Sequence, residues 1–185
     1  MTKFQMIALL IAVVLVVTGG LAVRGFAAGK AKLPQVGQMA PNFTLPNQEG
    51  APVRLSSYRG QWVVLYFYPK DMTSGCTIEA HNFQRDLSQY EALHATILGV
   101  SVDSVKSHAK FCTKDSLHFT LLSDHGEMRV SREYGVLANL MGLKFDKRIT
   151  FLIDPAGKIA KVWTGVNPMR HSAEVLAELE KRKSL

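Results

Sequence analysis

Cysteine is scarce in this 185-residue chain: there are two, Cys76 and Cys112, thirty-six positions apart. No Cys-x-x-Cys pair exists, and the fourth position counted from Cys76 is Glu79. That excludes the paired-thiol chemistry of disulfide-exchange enzymes. No cysteine stands near residue 25, which removes a lipoprotein-type anchor. His81, His108, His118 and His125 show no metal-ligand spacing and read as surface or capping residues. Gly-rich phosphate loops and cofactor motifs are also missing, so neither cofactor nor metal is expected. The formal charge of +7 is scattered, and no basic stretch interleaves with aromatics, which argues against a nucleic-acid partner. Lys106, Lys110 and Lys114 fall on one helix face that reads as solvated, with anionic lipid headgroups as the alternative neighbour. There are no internal repeats and no low-complexity segments.

Apolar sequence is what the N-terminus has instead. Between Phe4 and Val23 only Gln5 and Thr18 are clearly polar, and residues 7–17 are wholly apolar. Twenty helical residues reach about 30 Å, the thickness of one bilayer core. Residues 1–23 are therefore expected to form a hydrophobic helix that anchors the chain in a membrane through residues 4–23. A cleaved signal peptide is the alternative, with Gly25-Phe26-Ala27 as its small-x-small site. The length of the run, and Arg24 ahead of that site, favour the anchor. Arg24, Lys30 and Lys32 outnumber Lys3 plus the amino terminus, which taken literally would keep the following domain in the cytoplasm. Signal-like N-termini often translocate nonetheless, so the expected location is extracytoplasmic (periplasmic), with secretion and a cytoplasm-facing domain as alternatives. Residues 24–35 hold Gly, Ala, Lys and Pro without periodicity and read as a linker. Residues 36–185 form one domain.

Within that domain, residues 66–80 carry the densest signal. Residues 62–68 are an unbroken β-branched and aromatic run, the pattern of a strand covered on both faces. Pro69 ends it, because proline cannot donate to a sheet ladder. Thr73 or Ser74 is a natural N-cap, and Ala80, Phe83, Leu87 and Tyr90 then recur at helical spacing to about Leu93. Cys76 thus falls in the first turn of a helix, where unpaired N–H groups and the dipole favour an anion. Cysteines in such positions are acidified, and the thiolate is the nucleophile. Thr73, three residues upstream, can hold its hydroxyl near the sulfur.

Elsewhere, residues 43–45 and 53–55 flank a turn-rich loop and read as a hairpin, followed by a helical turn at 56–60. Residues 96–102 form a buried strand, and Ser104 caps a helix over 105–115. A short strand at 119–122 precedes a helix over 127–134, with Gly135 as its stop. Residues 137–147 have mixed character and carry no assignment. Strands at 148–153 and 158–163 enclose the Asp154-Pro155-Ala156-Gly157 turn, and a helix spans 172–183. Alternating strands and helices give an α/β domain, a mixed sheet with helices on both faces.

Pro69-x-x-x-Thr73-x-x-Cys76 resembles the active-site signature of the peroxiredoxins. The wider Tyr-Phe-Tyr-Pro-Lys-Asp-x-Thr-x-Gly-Cys-Thr run resembles their bacterioferritin-comigratory, or peroxiredoxin Q, branch, and the likeness extends from about Val36 to the C-terminal helix. The resemblance implies a thioredoxin-like fold, with a central mixed β-sheet flanked by helices. It implies a thiol-dependent peroxidase acting on hydrogen peroxide and organic hydroperoxides, with Cys76 as the peroxidatic residue that becomes a sulfenic acid. Polarising the peroxide requires the Thr73 hydroxyl, helix N–H groups and an arginine fork. Arg148 fills that last place by resemblance, in an Arg-x-Thr-Phe-Leu-Ile-Asp context. Pro69 shields the sulfur, and Glu79 either buttresses the site or is a surface carboxylate.

Cys112 has two readings. It resolves the sulfenic acid as an intramolecular disulfide, or it fills the apolar side of its helix with Val105 and Ala109. Many relatives place the resolving cysteine five residues after the peroxidatic one, where this chain has His81; another subgroup places it in the following helix, at a spacing like that of Cys112. Resolution by Cys112 implies a thioredoxin-like reductant and a monomer. It also requires both helices to unwind partly, because a disulfide needs Cα atoms within about 7 Å and elements on different flanks of a sheet lie further apart. A one-cysteine peroxidase served by an external thiol remains an alternative, as does a non-enzymatic redox sensor or holdase that uses Cys76 as a switch.

Overall fold

The structure, a computed structural model, describes residues 32–183. The expected N-terminal anchor helix and most of the linker lie outside the described residues. Among those described, no helix is long and apolar enough to cross a membrane.

Strands β3 (Trp62–Phe67), β4 (Ala95–Ser101), β5 (Thr120–Ser123), β8 (Ile149–Ile153) and β9 (Ile159–Trp163) form one sheet in the order β5-β4-β3-β8-β9. The β3–β4 and β4–β5 pairs are parallel, whereas β3–β8 and β8–β9 are antiparallel, giving the mixed sheet expected. β3 is buried from Val63 onward, as its unbroken apolar run requires. Gly99 in β4 has a packing reason to lack a side chain. A Cβ there would lie 2.8 Å from the Tyr66 ring and 2.7 Å from Leu121 Cδ2.

Alternate strand residues feed two cores. On one face Tyr66, Ile97, Leu121 and Leu152 meet Ala80 and Phe83 of α1 (Ser74–Arg85) and Phe111 of α3 (Val105–Asp115). Val175 and Leu179 of α5 (His171–Lys183) close the same cluster. On the other face Val63, Leu65 and Phe67 meet Val130 of α4 (Arg129–Glu133), together with Phe43 and Leu45 near the hairpin of β1 (Thr44–Pro46) and β2 (Pro52–Arg54). The expectation that α1 and α3 lie on different flanks is therefore corrected. Both rest on one face, and they touch: His81 Nε2 lies 3.0 Å from Asp115 Oδ1, and just beyond α3 His118 N donates to Gln84 Oε1 at 2.6 Å.

Three further differences have local causes. The helix expected to run to Leu93 breaks at Asp86 and resumes as α2 (Leu87–Ala92). The Asp86 carboxylate accepts from Arg85 Nε at 2.7 Å and from Ser172 Oγ at 2.7 Å, which ties the break to the start of α5. Residues 137–147 form a hairpin of β6 (Leu137–Leu140) and β7 (Leu143–Asp146). Its two-residue turn, Met141 and Gly142, has φ of 52° and 89°, the sign that a hairpin with the native strand twist demands. The third difference concerns His108. It is not a surface or capping residue but is fully buried, as shown below, while Lys106, Lys110 and Lys114 are exposed as expected.

Candidate active site

The register of the sheet builds the site. Phe67 pairs with Ile149, so Arg148 enters the sheet where β3 ends and the chain turns through residues 68–73 into α1. Thr73 is the N-cap residue with extended backbone, and its hydroxyl donates to the Lys70 carbonyl at 3.0 Å. With the proton committed there, the oxygen lone pairs of Thr73 remain available to a donor. Pro69 is half-buried at the end of β3.

Cys76 is 2% exposed in the first turn of α1. Arg148 Nη2 donates to its sulfur at 3.2 Å, and Arg148 Nη1 donates to the Glu79 carboxylate. Cys76 and Glu79 stand three residues apart, on one helix face, so a single guanidinium bridges both. Glu79 is buried and paired with Arg148, so it is not a surface carboxylate. Burial drives its carboxyl up to about 7 against the pull of Arg148. Burial also acts to lower the Arg148 value, but the negative charges of Glu79 and Cys76 outweigh it and keep the guanidinium charged. Gly75 leaves room for this approach: a Cβ there would sit 3.3 Å from Arg148 Nη2 and 3.9 Å from Pro168 Cγ.

Behind the arginine lies His171, a buried residue that sequence reasoning did not single out. Its Nε2 lies 2.8 Å from Thr150 Oγ1, and its ring meets Phe83 and Trp163 edge-on. Burial, helped by the charge on Arg148, pushes the imidazole down to about 4, so it stays neutral and adds no competing cation.

A second polar group is buried under the loop. Tyr68 donates its hydroxyl to Asp71 Oδ1 at 2.7 Å, and Asp71 Oδ2 lies 2.9 Å from His108 Nδ1. Burial alone would raise the Asp71 carboxyl, but hydrogen bonding and charge from His108 hold it below the usual carboxylate range. Nothing in sequence spacing joins Asp71 to His108. The one available signal was that Val105, His108, Phe111 and Cys112 fall on a single helix face.

Cys112 is half-buried in α3, against the same cluster that contains Cys76, and both thiols are free. It borders a cleft lined by Gln48, Glu49, Ala109, Thr113 and Leu117. Burial, with the negative charges of Asp71 and Glu49, pushes its thiol up to about 11. The structure thus joins Cys76, Glu79 and Arg148 in direct contact, places Thr73 and Pro69 on the adjoining loop, and leaves Cys112 one helix away. Among the described residues no cluster suits a metal ion.

Residues 36–162 match the AhpC/TSA family. The chain is 47% identical over 149 residues to a putative peroxiredoxin bcp of Coxiella burnetii, covering 78% of this chain and 98% of that one. It is 42% identical over 150 residues to peroxiredoxin Bcp of Bacillus subtilis, covering 79% and 95%. A crystal structure of a Xylella fastidiosa PrxQ mutant superposes with a TM-score of 0.77 at 36% identity, covering 82% of this chain and 99% of that one.

Proposed function

The chain belongs to the AhpC/TSA family and is a thiol-dependent peroxidase, and we propose that it reduces hydrogen peroxide and organic hydroperoxides at Cys76, with Cys112 as the resolving thiol. The observation that carries this reading is the Arg148 guanidinium, 3.2 Å from the Cys76 sulfur and braced by Glu79.

The cationic fork stabilises the Cys76 thiolate, which attacks one peroxide oxygen. The S–O bond forms as the O–O bond breaks, leaving Cys76 as a sulfenic acid, and the departing oxygen takes a proton from solvent to leave as water or an alcohol. Arg148 and the first backbone N–H groups of α1 offset charge on the departing oxygen. The Thr73 oxygen accepts a hydrogen bond from the peroxide O–H, and Pro69 limits access of bulk water. Cys112 then attacks the sulfenic sulfur: a disulfide forms, and the thiol proton leaves with the hydroxyl as water. A thioredoxin-like dithiol reopens the bond by thiol–disulfide exchange. Resolution within one chain needs no second subunit, which supports a monomer. The apolar run over residues 4–23 supports a membrane anchor, and the signal-like character of this N-terminus supports an extracytoplasmic domain.

Peptide mapping tests the scheme. The reduced full chain receives one equivalent of hydrogen peroxide, free thiols are blocked, and the peptides are analysed by mass spectrometry. A Cys76–Cys112 bond within the monomer is expected. Oxidised Cys76 beside a free Cys112 would replace this scheme with a one-cysteine enzyme or a sensor, and two intact thiols would refute peroxidase chemistry.

A further inference from the structure

The mechanism above leaves a buried charged cluster at the Cys76 loop without a task. Asp71 lies in the loop five residues before Cys76, and His108 lies on α3 one turn before Cys112. The two side chains are 1% and 0% exposed and meet at 2.9 Å. Tyr68, at the end of β3, completes the group: its hydroxyl donates to Asp71 Oδ1 and lies 3.3 Å from His108 Nδ1. The Asp71 backbone N–H is also held, by Asp103 Oδ2 at 2.9 Å, immediately before the α3 cap at Ser104. Desolvating an acid and a base is costly, and hydrophobic replacements of such pairs are often no less stable. A buried pair is therefore a poor device for raw stability. It is a good one for fixing two segments in a single arrangement, because breaking it leaves an uncompensated group inside.

The segments it joins are those that must separate for resolution. We propose that Asp71, His108 and Tyr68 form a latch that holds the Cys112 helix against the Cys76 loop, so that opening of this latch sets the rate at which Cys112 reaches the sulfenic acid. The latch rests on the reading of Cys112 as the resolving thiol. While it is closed, α3 stays folded, and Cys112 keeps its proton under the influence of burial and the Asp71 charge. When it opens, the helix start frays, and Cys112 leaves both influences together. His108 is in this sense a positioning residue. It touches neither the sulfur of Cys76 nor the Arg148–Glu79 pair among the contacts described.

Separating the two chemical steps tests the latch. Rapid quench of the reduced full chain measures sulfenic acid formation, whose rate scales with peroxide, and disulfide formation, whose rate does not. In His108→Gln the disulfide step should accelerate roughly tenfold, as losing a charge-assisted hydrogen bond implies, with the peroxide step within about twofold of wild type. Tyr68→Phe removes one hydrogen bond and should accelerate the disulfide step about threefold; it remains informative if His108→Gln does not fold. Both variants should also resist overoxidation to sulfinic acid, since the sulfenic acid is captured sooner. A merely structural role would slow both steps together. Disulfide formation at an unchanged or lower rate in the folded variants would overturn the latch while leaving Cys112 as the resolving thiol. Absence of any Cys76–Cys112 bond in the wild type would overturn both.

Discussion

Cys76 sits in the first turn of α1 with a guanidinium nitrogen 3.2 Å from its sulfur, whereas Cys112 lies late in α3 under the negative charges of Asp71 and Glu49. Both rest on the same face of the same sheet, in one apolar cluster. A shared cluster therefore does not make them alike; the charge beside each sulfur differs in sign. A guanidinium donates to one sulfur, while burial and anions at the other keep a proton in place. A two-step cycle needs this asymmetry, because a resolving thiol as reactive as the first would compete with it for peroxide.

The comparison breaks most completely at Cys76 itself. Cys76→Ser should abolish peroxide turnover in a coupled assay with a dithiol reductant, whereas Cys112→Ser should keep the first oxidation and accumulate sulfinic acid at Cys76, seen by mass spectrometry. Next in size, Arg148→Ala should slow sulfenic acid formation about 100-fold, the typical cost of removing one preorganised donor to developing charge, and leave thermal unfolding cooperative. Gly75→Ala should slow the same step only a few-fold, by crowding the Arg148 fork.

The smallest effect is thermodynamic. The Glu79 carboxyl is raised to about 7 in the fold, above its unfolded value of about 4.5. Between those values the folded state binds more protons than the unfolded state, so the contribution of this group is complete below about 4.5 and fades as pH rises through 7. Melting curves of wild type and Glu79→Gln should therefore diverge in favour of the variant as pH goes from 5 to 8. Parallel curves would show that Arg148 holds Glu79 ionised throughout.

How much of this was legible in the chain follows from what each signal depends on. The β3 strand, the Pro69 stop and the Ser104 cap depend on neighbours in sequence, and the structure shows them where they were expected; Ser104 Oγ accepts from Ser107 N at 3.3 Å. Arg148 was assigned by resemblance, and the Phe67–Ile149 register explains why that position reaches the sulfur. The break at Asp86 was not legible, because its carboxylate is held by Ser172, which lies far along the chain. The β6–β7 hairpin was hidden for a different reason. Leu140, Met141 and Leu143 are exposed at 62%, 100% and 67%, so no alternation of apolar and polar residues marks its faces. His108 reads from sequence as a surface or capping residue, because no metal-ligand spacing singles it out. Its partner, Asp71, is brought to it only by the fold.

The most direct test of this division between a primed and a restrained cysteine is stopped-flow fluorescence of the reduced full chain, read from Trp62 and Trp163 across a range of hydrogen peroxide concentrations. Trp163 packs on His171 behind the active site, so events at Cys76 and Arg148 should reach it. The account predicts two phases: a fast one whose rate rises linearly with peroxide, and a slower one, matched by disulfide formation in quenched samples, whose rate does not change with peroxide. Disulfide formation that keeps pace with peroxide at every concentration would mean that Cys112 is not restrained, and would contradict the account.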